Sequence, residues 1–183
     1  MNIFRFLIVF LITQFLFLSA QSSEKNILND LFNQLEKVNN SKTAELIEKK
    51  IWAIWNKHPN HIILTNKLEF GTELMQNGNY NYALEVFSNI IATDPGWSEA
   101  WNKRATVFFL MNRYTSSLSD IEKVLNIESR HFGALSGQAR IFIKLEEYEK
   151  AIISLKKVMK FHPLFRSGEL ISEIEKLIKE QSI

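Results

Sequence analysis

The sequence predicts an all-α protein built from three consecutive helical repeats, with further helices on either side. The first observation is the equal spacing of Tyr80, Tyr114 and Tyr148 along the chain. The second is that the neighbours of each tyrosine repeat with it, a small residue at the third position after it and a large apolar one at the seventh. The third is the scarcity of proline (three) and glycine (six), which favours long helices over a β design.

Residues 1–22 have the three-part layout of a secretory signal peptide: a charged start, a short apolar stretch at 6–18, and small residues after it. Cleavage after Ala20 and cleavage after Ser22 both fit this layout. We therefore expect an exported protein of the periplasm. The alternative is an uncleaved segment that anchors the protein to the inner membrane, although the apolar stretch is short for a span of about 20 residues.

Residues 24–63 hold two amphipathic segments with apolar residues at helical spacing. The first segment contains Leu28, Leu31, Phe32 and Leu35, and the second contains Leu46, Ile47, Ile51, Ile54 and Trp55. We predict a degenerate helical hairpin that stacks on the first repeat, slightly displaced from the register that the tyrosines define.

The three repeats span 64–97, 98–131 and 132–165. In each, apolar residues recur every three or four positions and turn-forming residues fall twice, so each unit is a helix, a tight turn and a second helix. The helices are predicted at 65–77, 81–93, 99–111, 115–127, 133–145 and 149–161. Residues 166–183 follow as one amphipathic helix with a charged outer face, which would shield the open end of the array from water.

The repeated columns resemble the tetratricopeptide repeat, whose pattern has Trp, Leu-Gly, Tyr, Ala, Phe and Pro at these spacings. The matching residues are Gly71, Tyr80, Ala83, Phe87, Ile90 and Pro95 in the first copy, and Trp101, Ala105, Phe108, Tyr114, Ser117, Ile121 and Val124 in the second. The resemblance covers 64–165 well and 24–63 poorly. Departures are Lys67 and Leu135 at the tryptophan column and Ser129 at the proline column. The whole layout is similar to small exported tetratricopeptide repeat proteins of bacterial cell envelopes.

The resemblance implies a right-handed α-α superhelix whose concave face is lined by the first helix of each pair and binds a peptide or a partner helix. The candidate partner-binding residues are Leu68, Thr72 and Met75 in copy one, Asn102, Lys103, Thr106 and Phe109 in copy two, and Ser136, Gly137, Arg140 and Ile143 in copy three. This mixed face suits a peptide held by a few apolar anchors and by hydrogen bonds to its backbone. Taken singly, each position is more simply explained as an ordinary solvated or half-buried helix residue, and the prediction of binding concerns the face as a whole.

Two glycines within one predicted helix, Gly133 and Gly137, indicate a bare notch where a ligand backbone or a neighbouring helix approaches closely. The alternative for Gly133 is a loose helix start. Some chaperone-binding members of the family clamp a C-terminal carboxylate with basic and asparagine side chains. Leu68, Thr72, Gly133 and Gly137 stand at those places here, so we expect no such clamp.

The remaining residues give no sign of chemistry, and we expect a binding protein and not an enzyme. The chain has no cysteine, and its net charge of +2 is too small for a nucleic-acid footprint. His58 and His61 have no carboxylate nearby in sequence, so we expect no metal and no cofactor. The partner is a protein or peptide that the sequence does not identify, and the membrane is touched only through an uncleaved N-terminal segment. The alternative function is a structural subunit that self-associates into a homo-oligomer through its terminal helices.

Overall fold

The computed structural model describes residues 24–165 and 167–181, and within these ranges the chain forms nine α-helices and no strand. The helices are α1 (24–37), α2 (Ser41–Trp55), α3 (Ile62–Gln76), α4 (Tyr80–Thr93), α5 (Ser98–Leu110), α6 (Tyr114–Ile127), α7 (Phe132–Lys144), α8 (Tyr148–Phe161) and α9 (Ser167–Gln181). None of these described helices is long and apolar enough to cross a membrane. The segment predicted as a signal peptide, 1–22, lies outside the described residues.

Helices α3 to α8 form three consecutive pairs, and each helix packs against the next along the chain. Five of these six helices begin one residue before the predicted start, and α3 begins three residues before it. The predicted all-α solenoid is confirmed. The small residues of the repeat columns lie where helices approach most closely. A Cβ atom on Gly71, for example, would stand 2.6 Å from a ring carbon of Phe87.

The turn inside each pair has the same backbone conformation three times. Gly78, Asn112 and Glu146, which occupy equivalent places in the three repeats, have φ angles of 77°, 58° and 59°. In each turn the next backbone N–H donates to a carbonyl five residues earlier, as from Asn79 to Leu74, at 2.8 Å in all three copies. These bonds close the first helix of the pair with a left-handed residue at its end, a position that glycine occupies with least strain.

The N-terminal hairpin does not stack on the first repeat, and that prediction is wrong. Helices α1 and α2 share one core with the third repeat, where Phe32 and Trp55 pack against Phe132. The same core takes in Leu135 from α7 and Val158 from α8. The physical reason is the supply of large apolar side chains at this edge, which the hairpin covers with its own apolar stripe. The first repeat contacts the hairpin through the link around His58, whose backbone N–H donates to the Thr65 hydroxyl.

Helix α9 lies against α8, at the C-terminal end of the array. Ile171 and Ile174 are buried there with Ala139, Ala151 and Leu155 of the third repeat. The end of the array is therefore covered by apolar contact with α9.

Candidate functional site

The first helices of the second and third repeats, α5 and α7, border a small cavity on the predicted inner face. Its volume is about 110 Å³. Six of the candidate binding residues line it: Asn102, Thr106, Phe109, Ser136, Gly137 and Arg140. Gly137 keeps the cavity open, since a Cβ atom there would meet nothing closer than the Ile121 side chain at 3.8 Å. The cavity thus brings together six of the eight candidate residues of copies two and three.

The polar groups around this cavity differ in how far they are already satisfied. The Asn102 amide donates to Glu99 at 3.1 Å, and the hydroxyls of Thr106 and Ser136 donate to backbone carbonyls within their own helices. Arg140 is exposed, and no ion pair or hydrogen bond ties its guanidinium to another side chain of the described residues. The guanidinium is therefore the group beside this cavity that is free to bind a ligand.

The other candidates lie outside this cavity. Leu68 is only 1% exposed and belongs to the core of the first repeat, which removes it from the accessible face. Thr72 is half-buried and donates to the Leu68 carbonyl, while Met75 packs against the same core. Lys103 pairs with Glu99 at 3.2 Å, and Ile143 packs against the core beneath α9.

A buried carboxylate, that of Glu99, lies behind the cavity and accepts a hydrogen bond from Asn102, which lines it. Glu99 is 0% exposed and lies 3.1 Å from Nε2 of His131, which is also fully buried. The Ala134 N–H donates to Nδ1 of this histidine, so Nε2 carries the ring proton and donates to Glu99. Burial raises the pKa of Glu99, but the hydrogen bond from His131, together with the charge and hydrogen bond of Lys103, outweighs burial and leaves the pKa lowered. Glu99 is thus held ionised, with hydrogen bonds from Asn102 and His131 on Oε2 and the Lys103 ammonium 3.2 Å from Oε1.

The predicted notch at Gly133 is real but is filled by the chain's own hairpin. A Cβ atom on Gly133 would stand 2.5 Å from Cη2 of Trp52. One turn further along α2, Trp55 stacks on the His131 ring at a centroid distance of 4.0 Å and an interplanar angle of 10°. The tryptophans of α2 are therefore packing residues that border the inner face where α7 begins, while Gly133 still lines the cavity.

Sequence reasoning missed the carboxylate partners of the buried histidines. His58 lies 2.8 Å from Asp94, and His162 lies 3.3 Å from Glu48 of α2. Three of the four histidines stand at junctions between helical units, which could have indicated a structural role. Their carboxylate partners could not be found from sequence, because they lie 32 to 114 residues away. Among the described residues, no group of three or more potential ligands is arranged to hold a metal ion.

Comparison with known proteins decides the family. No protein-family model matches the chain. A TPR repeat-containing protein of Rhizobium etli is 34% identical over 151 residues, which make up 82% of this chain and 74% of that protein. The chain belongs to the tetratricopeptide repeat (TPR) family. A DnaJ homolog subfamily C member 7 homolog of Schizosaccharomyces pombe is 33% identical over 93 residues, and there the TPR array matches only 20% of the relative's length.

Solved structures share the fold of this TPR array. The first TPR domain of Spaghetti (RPAP3), bound to an HSP90 peptide, superimposes with a TM-score of 0.60 at 17% identity, covering 63% of this chain and 93% of that one. The Yersinia enterocolitica type III secretion chaperone SycD, in complex with a peptide of the translocator YopD, gives a TM-score of 0.60 at 14% identity. That match covers 69% of this chain and 100% of the chaperone. At these identities the likeness concerns the fold.

Proposed function

We propose that this TPR protein is a protein-interaction module that binds a peptide or partner helix on the inner face of its second and third repeats. The observation that carries the proposal is the cavity between α5 and α7, where Gly137 leaves room and Arg140 is unpaired among the described side chains. The proposal assigns no reaction and no cofactor to the chain, because the polar groups that line this cavity are suited to holding a ligand.

The size of the cavity favours one side chain of a longer ligand. At about 110 Å³ it is well below the roughly 300–1,000 Å³ of sites for whole small molecules. Phe109 and Ile121 offer apolar contact to such a side chain, while the Asn102 oxygen and Thr106 lie beside the path of the ligand's backbone. Arg140 would then pair with an acidic side chain or a carbonyl of the ligand.

The hairpin limits where the ligand can lie. Trp52 packs against Gly133 and Trp55 stacks on His131, so the hairpin borders the cavity at the start of α7 and leaves less room for a partner there. A ligand is therefore expected to run from the Gly137 cavity towards Phe109 and Ile143, near the ends of α5 and α7. This route is short, so we expect a short segment with one apolar anchor.

The solved neighbours support peptide binding as the class of function, since the RPAP3 and SycD structures each contain a peptide. They do not identify the ligand of this chain. The absence of a clamp for a C-terminal carboxylate stays a prediction, and the burial of Leu68 and the covering of Gly133 by Trp52 both support it.

The test uses a photo-reactive side chain placed in living cells at Thr106, with Thr115 on α6 as the matched control. Both threonines are exposed, but only Thr106 borders the cavity. The expected result is a discrete crosslinked partner from Thr106 that disappears when Gly137→Leu fills the cavity. This blocking variant is expected to fold, because leucine is favoured over glycine in a helix by about 1 kcal/mol. Equal capture from both positions, or capture that Gly137→Leu does not change, would refute the proposal that the partner binds at this cavity.

We also propose that the protein is exported to the periplasm, with anchoring to the inner membrane as the alternative. The support is the layout of residues 1–22. Cell fractionation, with the intact mass of the purified protein, distinguishes the outcomes. A soluble periplasmic protein whose mass shows that it begins at Gln21 or at Ser23 fits cleavage, and the full mass in the membrane fraction fits the anchor. A cytoplasmic protein of full mass contradicts both.

A further inference from the structure

The outer side of α3 carries an apolar stripe that the described chain leaves open. Ile63 is 67% exposed and Phe70 is 54% exposed, seven residues apart and so on one side of the helix. The half-buried Leu74 continues the stripe one turn further. We call Ile63, Phe70 and Leu74 the α3 stripe. In a repeat array this side of the first helix is the side that a preceding unit would cover.

The two ends of the array are treated differently. At the end of the third repeat, α9 buries Ile171 and Ile174. At the first repeat, the hairpin that the sequence places ahead of α3 packs instead on Phe132 and its neighbours in α7 and α8. Among the described residues, therefore, no element covers Ile63 and Phe70, and these two large apolar side chains remain in water, while Leu74 packs partly against the core of the first repeat.

We propose that the α3 stripe is the contact surface of a homodimer, in which the α3 helices of two copies pack antiparallel about a twofold axis at Phe70. A twofold contact requires a patch that is complementary to itself. With the axis at Phe70, a residue that precedes Phe70 by a given number of positions in one helix lies beside the residue that follows Phe70 by the same number in the other helix. The two Phe70 rings meet at the centre, and Ile63 of each copy extends the contact towards the end of the partner helix.

The polar residues beside the stripe fit this arrangement. From the helical repeat of 3.6 residues, Asn66 and Glu73 lie on the same flank of α3, about one turn before and one turn after Phe70. The axis therefore places Asn66 of one copy beside Glu73 of the other, twice, with an amide donor facing a carboxylate acceptor. Both side chains are exposed, and neither is hydrogen-bonded to another described side chain. Lys67, on the opposite flank, lays its aliphatic stem over Leu74 of the second copy.

A second copy is favoured over an unrelated partner because α3 carries both groups of each contact, the Asn66 amide with the Glu73 carboxylate and the two Phe70 rings. The contact is small: one helix stripe buries less than the roughly 1,200 Å² of standard stable interfaces, so the dimer is expected to depend on concentration. The α3 stripe shares no residue with the Gly137 cavity, so the dimer would present two open grooves and bind a divalent ligand with higher avidity.

The absence of native cysteine makes a direct test possible. A cysteine introduced by Phe70→Cys would face its copy across the axis, with Cα atoms about 4–5 Å apart for helices in contact. Ile153→Cys on α8 is the matched control, because Ile153 is equally exposed at 54%. Under mild oxidation of the protein as the cell processes it, Phe70→Cys is expected to form a disulfide-linked dimer rapidly and Ile153→Cys slowly. Equal rates overturn the proposal.

Sedimentation equilibrium of cysteine-free variants gives a second, independent readout. Phe70→Lys is expected to raise the dimer dissociation constant at least about tenfold. Asn66→Glu is expected to weaken the dimer by setting like charges together, and adding Glu73→Lys to it is expected to restore the affinity. A protein that stays monomeric at high concentration overturns the dimer. So does a Phe70→Cys thiol that resists both crosslinking and a thiol reagent, which would show that another segment of the chain covers the stripe.

Discussion

Replacement of Glu146 by glycine is expected to stabilise the protein, although it removes a side chain and makes no new contact. Glu146 lies in the turn after α7 with φ at 59°, in the left-handed region that side chains with a Cβ atom disfavour. The equivalent residue of the first repeat is already glycine, Gly78, and that of the second is Asn112, which tolerates this conformation better than glutamate. The three turns make the same 2.8 Å hydrogen bond, so the substitution changes the strain and leaves the geometry in place.

The magnitude follows from two opposing contributions. A residue with a Cβ atom in the left-handed region loses about 1–2 kcal/mol relative to glycine. Glycine also lowers the free energy of unfolding by roughly 0.5–1 kcal/mol, because it gives the unfolded chain more conformational freedom. Glu146 is exposed and makes no side-chain contact that would have to be replaced among those of the described residues. The net gain for Glu146→Gly is therefore about 0.5–1 kcal/mol, or a rise in Tm of about 1–4 °C for a chain of this length.

Urea unfolding followed by circular dichroism provides the assay, with the midpoint compared at an unchanged slope. Gly78→Ala, the reverse change in the equivalent turn, is expected to lower stability by about 1 kcal/mol. Glu149→Gly, three residues further on and inside α8, controls for the loss of a glutamate and is expected to destabilise by about 1 kcal/mol. If Glu146→Gly fails to raise the midpoint while Glu149→Gly lowers it, strain at the turn does not limit stability and the reasoning is refuted.

Three further predictions concern contacts between distant parts of the chain. Gly133→Ala would bring a methyl group to 2.5 Å from Trp52 and is expected to lower the stability of the protein by about 1–3 kcal/mol in thermal unfolding. Gly137→Ala, whose methyl group would be 3.8 Å from its nearest neighbour, is expected to be neutral or stabilising, and equal losses for the two variants would contradict the prediction. Asp120→Ala removes the carboxylate that accepts two hydrogen bonds from Arg104 at 2.7 and 2.8 Å, and a loss of roughly 3 kcal/mol is expected in urea unfolding, since both groups are largely buried; a loss under about 1 kcal/mol would show that water replaces the pair. The hydrogen bond from His162 is the main cause that lowers the pKa of Glu48 below its ordinary value of 4.5. Because the folded pKa is the lower one, the stabilisation is complete above pH 4.5 and is lost as the pH falls through the folded pKa. Glu48→Gln is therefore expected to make the free energy of unfolding fall less steeply with decreasing pH below 4.5. An unchanged pH dependence would argue against the hydrogen bond between His162 and Glu48.

Most ends of the array helices could be predicted to within about one residue, because the residues that start, stop and orient a helix lie close to it in sequence. The spacing of Tyr80, Tyr114 and Tyr148, and the small residues that follow them, specify where each helix begins and which side it buries. The pattern also placed Asn102, Gly137 and Arg140 on the first helices of their repeats, and the structure brings these three residues to one cavity. Family membership followed from the same columns and was confirmed by the Rhizobium etli relative.

The docking of the hairpin was decided only by the tertiary structure. Nothing in the neighbourhood of Trp52 in sequence reveals that its ring occupies the space left by Gly133, which follows more than two repeats later in the chain. The amphipathic pattern of 24–55 shows that one side of each helix is buried, but an apolar stripe is not selective for its partner. The sequence alone thus determined a three-repeat TPR array with a binding class of function. The tertiary structure decided which part of the inner face stays open and left the α3 stripe exposed, because both depend on contacts between residues far apart in the chain.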